Sequence, residues 1–267
     1  MKKFALAAFL VLAAGPVAHA ADPAEQAPPV EPVGQDWALQ ITPYLWAAGI
    51  NGDISPFQRA PTIGIDKSFS DVFKDLNFGG FINIWGRYER FVFSGDLMYV
   101  DTTEPHEFGT PPLPFPIPTG TRVNVDVDTK EFTASAMAGY RLVDTPTFTL
   151  DALGGVRFWH ISNDVTVTAL GRTVSYGESF GWTDPLVGAR AFVNITDKLS
   201  LQAQADVGGF GVGSESTWSV LGTVNYIVTD HLSVSAGYKV LNVDYDNDGY
   251  VFDSQLSGPV LGMTYRF

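Results

Sequence analysis

His160 and Ser162 stand two residues apart in the run His160-Ile161-Ser162-Asn163. On an extended strand that spacing puts both side chains on one face. A histidine base beside a serine hydroxyl is the start of acyl-transfer chemistry, which also needs an acid to orient the imidazole. Glu178 is the downstream acid considered for orienting His160, but its parity places it on the opposite face of its strand. Asp244, Asp246 and Asp248 precede Gly249 at the alternate spacing of a calcium loop's first half. Gln255 stands where such a loop carries its bidentate glutamate, and Asn247-Asp248-Gly249 also reads as a hairpin turn. The glycine-rich run 208–213 has no helix after it to offer an N-terminus to phosphate, so it reads as close backbone approach and a tight loop. His106 and His231 have no metal-ligand spacing, and the absence of Cys removes thiolate metal sites, disulfides and cysteine nucleophiles. No catalytic set, cofactor or resident metal is expected from these residues.

The elements that carry these groups are strands. Period-2 alternation recurs from Trp37 to Phe267 in ten runs: 36–50, 76–88, 91–101, 123–142, 146–164, 174–194, 198–211, 215–228, 231–246 and 249–267. Several exceed the ~5–6 residues of a soluble strand and reach the ~9–11 of a tilted membrane strand. Their connections alternate between short turns and mostly longer segments, among them 51–75, 102–122 and 165–173. That is the pattern of a transmembrane antiparallel up-and-down β-barrel of about ten strands, with eight or twelve as alternatives. An even count puts both termini on the short-turn side. Within 51–75, Phe69, Val72, Phe73 and Leu76 fall at helical spacing, with Ser70 or Asp71 as candidate caps, and predict a short helix at the barrel mouth.

Residues 1–20 read as a signal peptide: Lys2 and Lys3, an apolar stretch, then Ala18-His19-Ala20, with cleavage before Ala21. Residues 21–35 are Pro- and Glu-bearing without periodicity and read as a flexible periplasmic tether; 36–267 is the barrel domain. The full chain of 267 residues carries a formal charge of −13, which excludes a phosphate-binding face and hence nucleic acid as a partner. The polar face of each run must be the lumen, since lipid tolerates no charge on the other. The lumen then receives Arg87, Arg141, Arg157, Arg190, Lys239 and Arg266 against Asp96, Glu131, Asp151, Asp184 and Asp206. These charges predict a salt-bridged network filling a narrow barrel, with Trp46, Trp85, Trp159 and Phe210 pointing inward beside it. The same charges lining a narrow selective solute path is the sharper alternative.

The stretches Thr42-Pro43-Tyr44-Leu45-Trp46-Ala47, Asp75-Leu76-Asn77-Phe78, 207–214, 237–245 and 258–267 resemble a proteobacterial family of uncharacterised outer-membrane β-barrel proteins. The resemblance implies fold and a cell outer-membrane location, with outer-membrane lipids and lipopolysaccharide as surroundings. It brings no reaction and no ligand. Met263, Tyr265 and Phe267, apolar at alternate positions up to a terminal Phe, resemble the signal read by the barrel assembly machinery. The run at His160 resembles the His-x-Ser-Asn of the lipid A 3-O-deacylases, which makes an outer-membrane esterase using His160 and Ser162 the enzymatic alternative to a non-catalytic barrel.

Overall fold

The computed structural model describes residues 36–58, 60–108, 123–169 and 171–267. The expected signal peptide, the tether and the Pro-rich run 111–118 lie outside them. Twelve strands and one helix follow in chain order: β1 (Trp37–Trp46), β2 (Gly49–Ile54), β3 (Ile63–Lys67), α1 (Phe69–Asp75), β4 (Leu76–Tyr88), β5 (Phe91–Phe108), β6 (Val123–Asp144), β7 (Phe148–Ala169), β8 (Arg172–Asn194), β9 (Leu199–Gly209), β10 (Ser216–Ile227), β11 (Leu232–Asn247) and β12 (Tyr250–Arg266). Neighbours pair antiparallel in the order β1-β4-β5-β6-β7-β8-β9-β10-β11-β12, and β1 returns to β12 with Gln40 opposite Arg266 and Trp46 opposite Val260. Ten strands therefore close a barrel, which leaves no edge at membrane depth.

Two strands are additions to that count. β2 continues the line of β1 along the outer half of β12, from Gly49 opposite Ser257 to Ile54 opposite Phe252, and β3 folds back on β2. β3 and all of β2 beyond Ile50 fall in the expected loop 51–75. β2 has only six residues, and its pairing partner lies about two hundred residues away, so only closure of the barrel presents it with an edge. The expected loop at 165–173 is likewise strand: β7 runs to Ala169, β8 starts at Arg172, and Gly171 turns between them with φ 74°. Part of the expected loop 102–122 is strand too, since β5 continues to Phe108 opposite Val123. Helix α1 is present, but its N-cap is Ser68, not Ser70 or Asp71. The Ser68 carbonyl accepts the Asp71 and Val72 N–H groups, and its hydroxyl donates to Asp71 at 2.6 Å.

The alternation sorts the two faces. Outward positions are apolar and exposed, as in Ile82, Ile84, Phe93, Leu97, Val156, Val187, Leu201, Val224, Val234 and Leu261. Aromatic residues mark two levels of that surface. Tyr99, Phe132 and His160 are register neighbours at the upper level, with Phe158 stacked on His160 and Phe78 against Tyr99. Tyr88, Phe91 and Tyr140 are register neighbours at the lower, with Tyr226, Tyr265 and Phe267 near the other short turns. Between Phe132 and Tyr140 lie eight residues' rise along β6, roughly 20 Å after tilt, close to the apolar band of a bilayer-spanning barrel. Among the described residues no helix is long and apolar enough to cross a membrane.

Candidate functional site: the filled lumen

Register builds the lumen in layers. At the short-turn end Arg141, Asp151 and Arg190 stand side by side on β6, β7 and β8. Arg141 donates through Nε to Asp151 at 2.8 Å and through Nη1 to Asp144 at 3.3 Å. The guanidinium groups of Arg141 and Arg190 lie 5.5 and 5.0 Å from the Trp85 ring, and Arg190 Nη2 donates to Gln202 at 2.9 Å. In the middle layer Arg157 donates to Asp206 at 2.8 Å and to Thr217 at 3.0 Å, while the Ser219 hydroxyl donates to the other Asp206 oxygen. Across from them Lys239 Nζ donates to Asp96 and to the Tyr44 hydroxyl, each at 2.9 Å, and Tyr44 donates in turn to Asp96 at 3.0 Å. Asn83 Nδ2 completes that carboxylate at 3.3 Å, and the ammonium sits 4.9 Å from the Trp46 ring. Arg157–Asp206 and Lys239–Asp96 join residues far apart in the chain, and Arg141–Asp151 and Arg157–Asp206 are fully buried, which is the condition under which an unpartnered charge costs most.

Above the ionic layers the lumen turns aromatic. Trp159 stacks on Trp182 at 5.4 Å, Trp182 on Tyr245 at 4.0 Å, and Phe180 on Tyr250 at 4.3 Å, with Phe252 against both tryptophans. The loop between β2 and β3 closes over this stack. Pro56 O accepts from Asn163 at 2.9 Å, Gln58 N–H donates to Glu178 at 2.7 Å, and Phe57 packs on Tyr176 at 5.3 Å. Tyr176 also donates to Glu178, and Tyr250 does so at 3.1 Å. The Gln58 N–H first, and the Tyr176 hydroxyl after it, hold the Glu178 carboxyl below the usual glutamate range. Between the ionic layers, walled by Asn83, Thr133, Ser135, Gln204, Ser219 and Leu221 among others, the cavity is about 30 Å³. That is room for a couple of ordered waters.

Not every inward charge finds the kind of partner expected. Asp184 stands opposite Arg157 in register, yet its carboxylate is held by Ser214 of the β9–β10 loop, whose N–H and hydroxyl donate at 2.7 and 2.9 Å, and by Trp182 Nε1 at 3.0 Å. Arg87 lies near the short-turn mouth and donates to the Glu89 carbonyl at 2.9 Å. Arg266 sits at the same end, opposite Gln40. Glu131 is buried beside Val100 and Ile161 in register, and its Oε1 has no hydrogen-bond partner among the described residues. Phe210 is corrected outright: it is 61% exposed, at φ 51°, in the β9–β10 turn. Residues the sequence did not single out carry much of the closure, namely Phe57, Gln58 and Ser214.

His160 and Ser162 share the outward face, but their register neighbours there are Phe132 and Lys130 on β6 and Gly181 and Ser179 on β8. None is an acid. Glu178 pairs with Asn163 and is engaged by Gln58, Tyr176 and Tyr250. Asn163 turns inward to Thr129 and Pro56. Asp244 and Asp246 lie on β11, and Asp248 and Gly249, at φ 54° and 84°, form a two-residue hairpin turn into β12. Among the described residues no three or more His, Asp or Glu are grouped to hold a metal ion.

No family model and no curated protein matches the chain. Solved barrels do. The outer membrane protease OmpT of Escherichia coli aligns over 88% of this chain and 98% of its own with a TM-score of 0.50 and 10% identity. The translocator domain of the autotransporter NalP of Neisseria meningitidis aligns over 88% and 90% with a TM-score of 0.43 and 12% identity. Ail, the attachment invasion locus protein of Yersinia pestis, aligns over 88% and 100% with a TM-score of 0.34 and 12% identity. The likeness is one of fold.

Proposed function

We propose that the chain is a non-catalytic β-barrel of the Gram-negative outer membrane with a plugged, charged lumen, acting at the cell surface or as part of the envelope and not as an open channel. The observation that carries this reading is the lumen itself. Three ion pairs, two arginines on one Trp85 ring and a stack of aromatic rings leave a mid-lumen cavity of about 30 Å³. Hydrated solutes do not pass through such a space. The apolar exterior with two aromatic levels supports placement among outer-membrane lipids, with lipopolysaccharide around the upper level. The outward Met263 and Tyr265 on β12 and Phe267 just after it, each about half exposed, support delivery through the barrel assembly machinery. The esterase alternative has no acid among the cross-strand neighbours of His160 and Ser162, and Asp164, the acid on their own face of β7, is four residues from His160, roughly 13 Å along the strand and beyond Ser162.

Planar-bilayer recording of the purified, heat-modifiable protein tests the plug. The expected conductance is far below that of a trimeric porin. A stable open state of porin size overturns the plugged reading and puts the solute path first.

A further inference from the structure

The upper half of β8 is an unfinished sheet edge. β9 meets β8 only from Leu186, opposite Gly208, downwards. Above that level β8 is paired to β7 alone among the described residues, up to Arg172 opposite Ala169. β9 stops at Gly209 and β10 starts at Ser216, so a notch opens above their turn, with β8 on one side and the top of β11 on the other. Side chains close the notch on its inner side, where Trp182 and Phe180 stack on Tyr245 and Tyr250. Nothing among the described residues pairs with the backbone edge.

Which groups face the notch follows from the turn below it. A Cβ at Gly213 would lie 2.5 Å from the Thr183 carbonyl oxygen, and one at Gly208 would lie 2.2 Å from that of Pro185, so these carbonyls point towards the β9 side. Backbone groups alternate sides along a strand. Thr173, Ser175, Gly177, Ser179 and Gly181 therefore aim their N–H and C=O groups into the notch. All five are small, and all five are exposed. Long bare edges are usually blunted by lysine, proline or a bulge; here the first proline is Pro185, at the bottom.

The opposite wall is acidic. Glu215, Asp246 and Asp248 are exposed there, and the Glu215 N–H donates to the Asp244 carbonyl. No Lys or Arg occurs between Lys198 and Lys239, or between Lys239 and Arg266. A second copy is a poor occupant. Two barrels inserted the same way are related by an axis along the membrane normal, which makes their β8 strands parallel with like edges facing. Parallel pairing joins unlike edges.

We propose that this edge takes up an extended basic peptide as an added strand, its backbone pairing with residues 173–181 and its cationic side chains facing Glu215 and Asp246. This gives the surface role proposed above a ligand class, and rests on that reading for the orientation of the notch outside the cell.

The test uses the full protein in phosphatidylcholine nanodiscs and dye-labelled peptides of about ten residues, read by anisotropy. A Lys-Thr alternating peptide is expected to bind and to weaken with salt. A Lys-Pro alternating peptide of equal charge cannot pair and is expected not to bind. The Ser175→Pro, Ser179→Pro double variant removes two notch-facing donors without touching the β7 ladder, and is expected to lose about tenfold or more in affinity. Glu215→Gln with Asp246→Asn should weaken the same peptide while leaving the edge intact. Equal binding of the two peptides, or unchanged binding in the proline variant, overturns strand addition; so does no binding of the Lys-Thr peptide to wild type. Peptide-independent dimers abolished by the proline variant would assign the edge to a second copy instead. Heat-modifiable mobility and low conductance, checked on the same preparations, separate failure of this proposal from failure of the barrel reading.

Discussion

Lys239 and Asp184 show how differently two buried charges are kept. Lys239 faces Asp96, Tyr44 and the Trp46 ring, so its charge is answered by a single carboxylate. Asp96→Asn strands an ammonium in the lumen and is expected to cost about 3–5 kcal/mol. Asp184 is answered by three donors from Ser214 and Trp182. Asp184→Asn turns one of these contacts into donor against donor and is expected to cost about 1–3 kcal/mol. Denaturant midpoints in lipid vesicles should rank the two in that order; equal losses would contradict these partner assignments. His160 and Ser162 carry the other prediction at this scale. His160→Ala and Ser162→Ala are expected to leave the lipid A mass spectrum unchanged. Loss of a 3-O-deacylated species that the wild type makes would reinstate the esterase.

Among the elements, the β2–β3 loop is the one built to respond to its surroundings. Its grip on β8 runs through the Gln58 N–H to Glu178, a carboxylate held below its usual value by that bond first and by the Tyr176 hydroxyl next. A depressed folded value means the contact is at full strength above the ordinary glutamate value of 4.5 and is lost as pH falls through the lower folded value. The protection factor of the Gln58 amide against hydrogen exchange should therefore hold from pH 7 to about 5, then fall on further acidification. Glu178→Gln should give the acid-state exchange throughout. A pH-independent protection factor in the wild type would detach the loop from Glu178.

For the whole molecule the terminal strand decides closure. β12 pairs with β11, β1 and β2, and the Phe267 N–H donates to Leu39 O at 3.0 Å. Met263, Tyr265 and Phe267 lie on its outward face, where an assembly factor meets them before the barrel shuts. Deleting Phe267 is expected to reduce the yield of heat-modifiable barrel more than deleting 21–35 does. Equal yields from the two deletions would remove the terminal aromatic from the assembly signal.

Strand number, the two faces and the polar filling of the barrel were legible in the sequence because each follows from a local period of two. Parity alone placed Arg141, Arg157, Lys239, Asp96, Asp151 and Asp206 on the inner face, and Met263, Tyr265 and Phe267 on the outer. Parity says nothing of height or of who stands opposite. The pairing of Lys239 with Asp96 and the rescue of Asp184 by Ser214 depend on how closure of the barrel brings together residues 143 and 30 positions apart. Phe210 kept its parity on paper but left the strand, because Gly209, Phe210 and Gly211 all take positive φ. β2 and β3 became strands only because the closed barrel offered β12 as a template, and the free edge of β8 exists only because β9 and β10 stop short beside it. The sequence by itself determined which residues face in. Only the tertiary structure decided which of them meet, since that is set by stagger around the barrel, a property no single strand carries.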